Sequence, residues 1–288
     1  MLLTDPEFIK QLEGLFLLAR KVLGGSLRAD RKSDKKGTGI NFADYAEYRF
    51  GDDYRNIDWN VYGRLETLMI KLFELEEDIA IYVLIDTSRS MAQKHEYAAK
   101  LCAALGYIAL NNADRLVIYG FADSLDTVLR PCHGRAKIFP MLRALERTTC
   151  EGPDTCFTES LKAFYAQPNR RGVCVVVSDF LIPGGYVEGL NFLRWAKHDI
   201  FCIQVLNPDE LVCPWKGDIE LECVETHRRY RTTVTPSRAA QFAQRFREYN
   251  QTIAAECARR EIGFAAATTD VPFEAVVQRI LREGGLVR

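Results

Sequence analysis

Seven residues constrain this chain more than any others: the run Ala80-Ile81-Tyr82-Val83-Leu84-Ile85-Asp86 is apolar until its last position, where it ends in a carboxylate. Short, rich in β-branched residues and apolar at consecutive positions, it predicts a strand buried on both faces in the middle of a parallel sheet. Asp86 then stands at the strand's carboxyl end, followed by Thr87-Ser88-Arg89-Ser90-Met91. In open α/β sheets ligands bind outside those ends, beside the strand where the order reverses. One carboxylate with hydroxyls at alternate positions offers only hard oxygen donors, which suits Mg²⁺ or another hard divalent cation. Serine ligands are neutral, so such an ion keeps much of its charge and seeks a carboxylate from outside. A serine-rich turn that caps the helix at Met91 accounts equally well for Ser88 or Ser90.

The run Gly172-Val173-Cys174-Val175-Val176-Val177-Ser178-Asp179 repeats this logic, apolar throughout and closed by an acid. Between the two runs lies Gly152-Pro153-Asp154-Thr155-Cys156-Phe157-Thr158-Glu159-Ser160-Leu161. Two acidic strand ends with a hydroxyl-bearing segment between them favour a shared cation. Asp179 as the cap of a turn leading to Pro183 is the structural alternative, and two acids without a cation would repel and share a proton.

The pattern Asp86-x-Ser88-x-Ser90 after an apolar strand resembles the metal-ion-dependent adhesion site of von Willebrand factor type A domains. That resemblance implies an α/β fold, a Rossmann-like and mostly parallel sheet flanked by helices, with a site completed by a distant threonine and a second aspartate. Matching Leu161 to the leucine that ends the family's threonine loop assigns the threonine role to Thr155. Thr158 competes for it, and otherwise reads as an N-cap with Glu159 in the first turn. The two glycines that usually precede the threonine are Pro153 and Asp154 here. On this resemblance Asp86, Ser88, Ser90, Thr155 and Asp179 hold Mg²⁺, directly or through water, and a partner supplies a Glu or Asp.

Upstream, Tyr48-Arg49-Phe50-Gly51-Asp52-Asp53-Tyr54-Arg55-Asn56-Ile57-Asp58-Trp59, then Tyr62-Gly63-Arg64 and Lys71-Leu72-Phe73-Glu74, interleave aromatics with paired charges. Such density is unlike a core strand or a disordered linker, and predicts an ordered, hydrogen-bonded polar cluster in which Arg forks onto Asp and stacks on rings. The segment closely resembles the hallmark of the domain-of-unknown-function fifty-eight family and leads straight into Asp86. Members of that family often carry amino-terminal membrane spans, which this sequence lacks. The resemblance implies a MoxR-type AAA+ ATPase, or its client, as the partner and an adaptor role in chaperone or complex-assembly work. It extends from about residue 20 to the carboxyl end, including a Glu225-Thr226-His227 turn where the family usually has Glu-Thr-Gly.

Before that segment, Asp5-Pro6-Glu7 reads as an N-cap, a first-turn proline and a first-turn acid, and Phe8, Leu12, Leu15, Phe16, Ala19 and Val22 recur at helical spacing. This helix is expected to pack on the main body. Residues 26–39 read as a solvated polar loop, with a basic contact for an acidic partner as the alternative. After Met91 the pattern predicts a helix at 97–109, a strand at 115–121, an edge strand at 125–129 and a helix at 138–145. A helix at 190–196 and a strand at 199–206 follow, then a hairpin from 219–224 and 229–234. A long helix capped by Ser237, a strand at 262–267 and a helix at 273–281 complete the chain. The expected division is residues 1–75, holding the helix, the basic loop and the aromatic segment, and residues 76–288, holding the type A-like domain with its added hairpin.

Charge and motif content narrow the function classes. A formal charge of -1 over 288 residues argues against a global electrostatic grip on nucleic acid or anionic lipid. No apolar run reaches the ~20 residues of a membrane span, and no signal peptide is evident. The nine Cys are scattered without C-x-x-C, so a soluble protein of a reducing cytoplasm is expected. There is no G-x-x-x-x-G-K-[ST], H-E-x-x-H or G-x-S-x-G, and His95, His133, His198 and His227 are dispersed. The expectation is therefore a metal-dependent interaction module and not an enzyme, the alternative being a Mg²⁺-dependent phosphoester hydrolase.

Overall fold

Residues 3–23, 32–37, 41–76, 79–150, 152, 156–182, 184–223 and 228–282 are described by a computed structural model. Their contacts divide the chain into two units, Met1–Val22 with Ile79–Arg288, and Leu23–Asp78. The expected boundary at 75/76 would have put the first helix with the smaller part, whereas its contacts lie with the larger one.

The larger unit is built on a six-stranded sheet. In chain order its strands are β4 (Ala80–Asp86), β5 (Arg115–Phe121), β6 (Leu125–His133), β7 (Gly172–Ser178), β8 (Asp199–Leu206) and β11 (Gly263–Thr268), arranged β11-β8-β7-β4-β5-β6. All neighbours are parallel except the β5–β6 pair. The apolar run 80–85 thus lies centrally, as its composition demands, since both of its faces are covered. Tyr82 and Leu84 join one buried cluster with Phe157, Leu161 and Phe164 of helix α5 (Phe157–Tyr165). The same cluster takes in Leu190 and Leu193 of α6 (Val187–Trp195) and Ile253 and Cys257 of α8 (Pro236–Arg259). Side chains alternate along a strand, so Val83 and Ile85 face the other side, where α3 (His95–Asn111) packs on β4 and β5.

Helix α1 (Pro6–Leu23) buries Phe8, Leu12, Leu15 and Ala19, the stripe its spacing predicts. The Phe8 ring packs, tilted, at 5.4 Å against Phe273, the first residue of α9 (Phe273–Arg282), and Phe16 meets Tyr107 of α3 at 6.3 Å. Helix α4 (Ile138–Glu146) also lies against α3. Two expected caps are corrected. The long helix α8 starts two residues earlier than a Ser237 cap allows, with Thr235 accepting from the Arg238 N–H and Pro236 in the first turn. Helix α5 is preceded by Cys156, which places Thr158 inside the first turn and not at the N-cap. The hairpin of β9 (Gly217–Glu222) and β10 (Arg229–Val234) is antiparallel, with Arg229–Glu222 and Arg231–Glu220 ion pairs across it. Residues 224–227, with the expected Glu225-Thr226-His227 turn, lie outside the described residues.

The smaller unit is an antiparallel sheet in the order β1-β3-β2, from β1 (Lys32–Gly37), β2 (Asn41–Glu47) and β3 (Met69–Glu76). The expected polar loop is therefore corrected over 32–37, where lysine-rich chain forms an edge strand, a place where charge suits the unpaired side. Asp58 caps helix α2 (Trp59–Leu65), accepting from the Asn60 and Val61 N–H groups, while its other oxygen accepts from the Tyr45 hydroxyl at 2.8 Å and pairs with Lys71 at 3.0 Å. The hydrogen bond from Tyr45, then that from Lys71, brings the Asp58 carboxyl down to about 2. The predicted polar cluster is thus a folded network.

Candidate functional site at the strand tips

Asp86 closes β4 and Asp179 follows directly on β7, its parallel neighbour. Strand register aligns Ile85 with Val177, so both acids project from the same end of adjacent strands. Both are 1 % exposed. The Ser88 N–H donates to Asp86 Oδ1 at 2.9 Å and the Ser178 hydroxyl donates to Oδ2 at 2.6 Å. Burial, then the charge of Asp179, push the Asp86 carboxyl up to about 6, against the opposing pull of the Ser178 and Ser88 hydrogen bonds.

The turn after β4 is held from two sides. The Thr87 N–H donates to Phe121 O at 2.9 Å, and Ser88 forms a parallel bridge with Gly152, whose carbonyl accepts from the Arg89 N–H. A Cβ on Gly152 would come within 2.3 Å of the Ala122 Cβ, so the close approach needs glycine. Ser88 is buried, and its hydroxyl lies 3.0 Å from that of Ser90. On the far side of the hydroxyl segment the Cys156 N–H donates to Ala122 O at 2.8 Å. Gly152 and Cys156 are therefore both fastened beside the Asp86 turn, although Thr155 itself lies outside the described residues.

Around Asp179 the backbone is over-determined. Its Oδ1 accepts from the Leu181 N–H at 2.9 Å, so it does cap the turn that follows, and its carbonyl accepts from Gln204 Nε2. Phe180, fully buried, adopts a φ of +57°, which is costly for a side chain of this kind. Its N–H donates to Ser178 Oγ and its carbonyl accepts from the Tyr249 hydroxyl at 2.7 Å. Strain of this sort persists where several contacts enforce it, as here.

Two site residues have no counterpart among the expected ones. Lys94, the residue before α3, reaches 2.7 Å from Asp179 Oδ2 and 2.6 Å from Glu210 Oε1. Glu210 lies in the short helix α7 (Pro208–Leu211), where its Oε2 also accepts from the Asn207 N–H. Burial by itself would lower the Lys94 ammonium, but the Asp179 and Glu210 carboxylates outweigh it and raise it. Lys94 is 1 % exposed, and the Glu210 side chain 27 %. One signal was present in the sequence: a cation at a helix N-terminus opposes the helix dipole and calls for an acidic partner.

The donor set fits a hard cation. The Asp86 oxygens accept from Ser88 and from the Ser178 hydroxyl and retain acceptor capacity, and the Ser88 and Ser90 hydroxyls are neutral oxygen donors beside them. Among the described residues no three His, Cys, Asp or Glu side chains gather as a metal-binding group, so hydroxyls would have to contribute. Burial, then the charge of Asp86, push the nearby Cys150 thiol up to about 12, which removes it as a nucleophile at neutral pH. His95 pairs with Thr148, and His198 pairs with Gly172 O while packing on Tyr82 and Phe164.

A sequence model of the family described as "Protein of unknown function DUF58" matches residues 44–252, a narrower span than the expected resemblance, yet one that includes residues 48–59 and both acidic strand tips. An uncharacterized protein of Mycobacterium bovis is 25% identical over 251 residues, covering 84% of this chain and 78% of that protein. The fold is similar to that of the conserved hypothetical protein BatB from Bacteroides thetaiotaomicron, with a TM-score of 0.43, 15% identity and coverage of 71% of this chain and 96% of BatB. It is also similar to a von Willebrand factor type A protein from Catenulispora acidiphila, with a TM-score of 0.38, 11% identity and coverage of 75% and 43%. No helix among the described residues is long and apolar enough to cross a membrane.

Proposed function

The chain belongs to the DUF58 family, and from that premise we propose that it is a protein-interaction module that engages an acidic side chain of its partner through Mg²⁺ held at the tips of β4 and β7. The observation that supports this most is the burial of two carboxylates, Asp86 and Asp179, side by side at the carboxyl ends of adjacent parallel strands, with Ser88 and Ser90 beside the first. A purely structural role explains this poorly, because a charged Asp86 is disfavoured where it stands. Asp86, Ser88 and Ser90 would hold the ion, with Asp179 acting from the second tip and Thr155 as the proposed fifth member. Bound there, Mg²⁺ supplies a positive centre whose coordination an outside carboxylate completes.

Ser178 and the Ser88 N–H orient the Asp86 carboxylate, while Gly152 pairs with Ser88 and the Cys156 N–H donates to Ala122 O. The proposed partner is a MoxR-type AAA+ ATPase or its client, and the role is adaptor work in complex assembly, not catalysis. That partner rests on the likeness of residues 48–74 to the family's hallmark. A reducing cytoplasm is the proposed place of work, in keeping with Cys102, Cys174, Cys202 and Cys257 serving as buried thiols of the core.

Isothermal titration of Mg²⁺ into metal-free protein tests the ion, with binding expected and lost in Asp86→Ala. No heat at millimolar Mg²⁺, or identical binding in the variant, defeats the metal reading. Mixing with a purified MoxR-type ATPase in Mg²⁺ or in chelator tests the partner, and equal association in both would separate partner binding from the metal.

A further inference from the structure

Lys94 has no part in holding the proposed ion. Lys94 is almost fully buried, yet its ammonium is held by two carboxylates that come from sequence positions 85 and 116 residues away. One of them, Asp179, is the second acid of the strand-tip site. The other, Glu210, is positioned by its own bond to the Asn207 N–H and is the part of this trio that reaches solvent. The buried Asp179 carboxylate calls for a counter-charge, and Lys94 supplies it from a helix N-terminus, a place that by itself disfavours a cation. The trio therefore places a fixed positive charge against one of the site's two carboxylates and covers that charge with an acid of the chain itself.

We infer that Lys94 is the resident cation of the strand-tip site, clamping Asp179 and Glu210 and thereby holding down the affinity of the free chain for a divalent ion. The inference rests on the metal reading and deepens it. Two cations would compete for the charge of Asp179, and like charges within one buried site repel because little water screens them. A divalent ion gains its full share of Asp179 only when the ammonium is drawn elsewhere. A partner's carboxylate, arriving on the ion, restores the lost negative charge, so ion and partner are retained together better than either alone.

Mg²⁺ alone is the probe, titrated calorimetrically into metal-free wild type, Lys94→Gln and Glu210→Gln. Lys94→Gln is expected to bind Mg²⁺ at least ~10-fold more tightly than wild type, since the competing charge is gone. Glu210→Gln retains the ammonium and is expected to bind no more tightly than wild type. Binding in Lys94→Gln with none in wild type would support the clamp while removing metal dependence from the native chain. Binding in wild type that Lys94→Gln fails to tighten, or that Glu210→Gln tightens equally, would overturn the clamp and leave the metal reading standing. No binding in any of the three would overturn both. If circular dichroism shows that Lys94→Gln does not fold, the ammonium is followed directly in wild type by proton–nitrogen spectroscopy, assigned by its disappearance in Lys94→Arg. A slowly exchanging signal that shifts on addition of Mg²⁺ supports the clamp. A rapidly exchanging ammonium, or one that saturating Mg²⁺ leaves unmoved, overturns it.

Discussion

Asp86 keeps its charge against the preference of its surroundings. Its carboxyl stands at about 6 in the fold, against an unfolded value near ~3.9. The folded value is the higher one, so the fold binds the proton better than the unfolded chain does. The associated stability is fully present below the unfolded value and is lost as pH rises through about 6, a loss on the order of a few kcal/mol at neutral pH. Asp86→Asn keeps an oxygen for the Ser88 N–H and removes the penalised charge. In metal-free buffer at pH 7.5 the variant should resist denaturant better than wild type, and the advantage should shrink toward pH 4. Urea unfolding at the two pH values decides it, and a variant weaker at pH 7.5 would mean that the charge is not penalised. Asp86 was legible because its burial follows from a local apolar run. Lys94 was not: its partners lie 85 and 116 residues away, and nothing within a few residues of it says that they meet.

At the scale of elements, β4 and β7 position the site through their register, and one glycine allows it. Gly172 opposes Ala80, and a Cβ there would sit 2.0 Å from Ala80 O and 2.8 Å from its carbonyl carbon. Those are backbone atoms, which cannot rotate away. Gly172→Ala should therefore cost about 2 to 3 kcal/mol by forcing the strands apart at their amino ends. Gly184→Ala is the control, because nothing lies within 4 Å of its added Cβ, and it should unfold within about 0.5 kcal/mol of wild type. Equal loss in both variants, measured by denaturant unfolding, would show that the close approach is not what matters. These two strands were readable in advance because consecutive apolar residues ended by an acid have few other solutions. Strands β1 and β2 were not, since Lys32–Gly37 lacks apolar alternation and its pairing to β3 is set from outside the segment. The helix caps were misplaced for a smaller reason: Thr235 and Ser237 flank Pro236, and either hydroxyl suits the chemistry of a cap.

For the molecule as a whole, the two units differ in how much apolar surface they bury. The larger one surrounds a sheet whose β7 is buried at every position and whose β4 is buried at all but one. In the smaller one, over residues 44–72, Asp58 and Ile70 are the buried side chains. Over the same residues polar contacts gather on Asp58, while Phe50, Tyr54, Trp59 and Leu65 are well exposed. Local opening is easiest where few buried apolar contacts must be broken. Under native conditions the amides of Ile70 and Leu72 in β3 should therefore exchange with deuterium roughly a hundredfold faster or more than those of Val83 in β4 and Val175 in β7. Both sets lie in interior strands and are hydrogen-bonded in a ladder, so a difference in rate reports core size and not pairing. Equal protection would mean that the small sheet opens only when the large one does, and its stability would then have to come from something other than its own core.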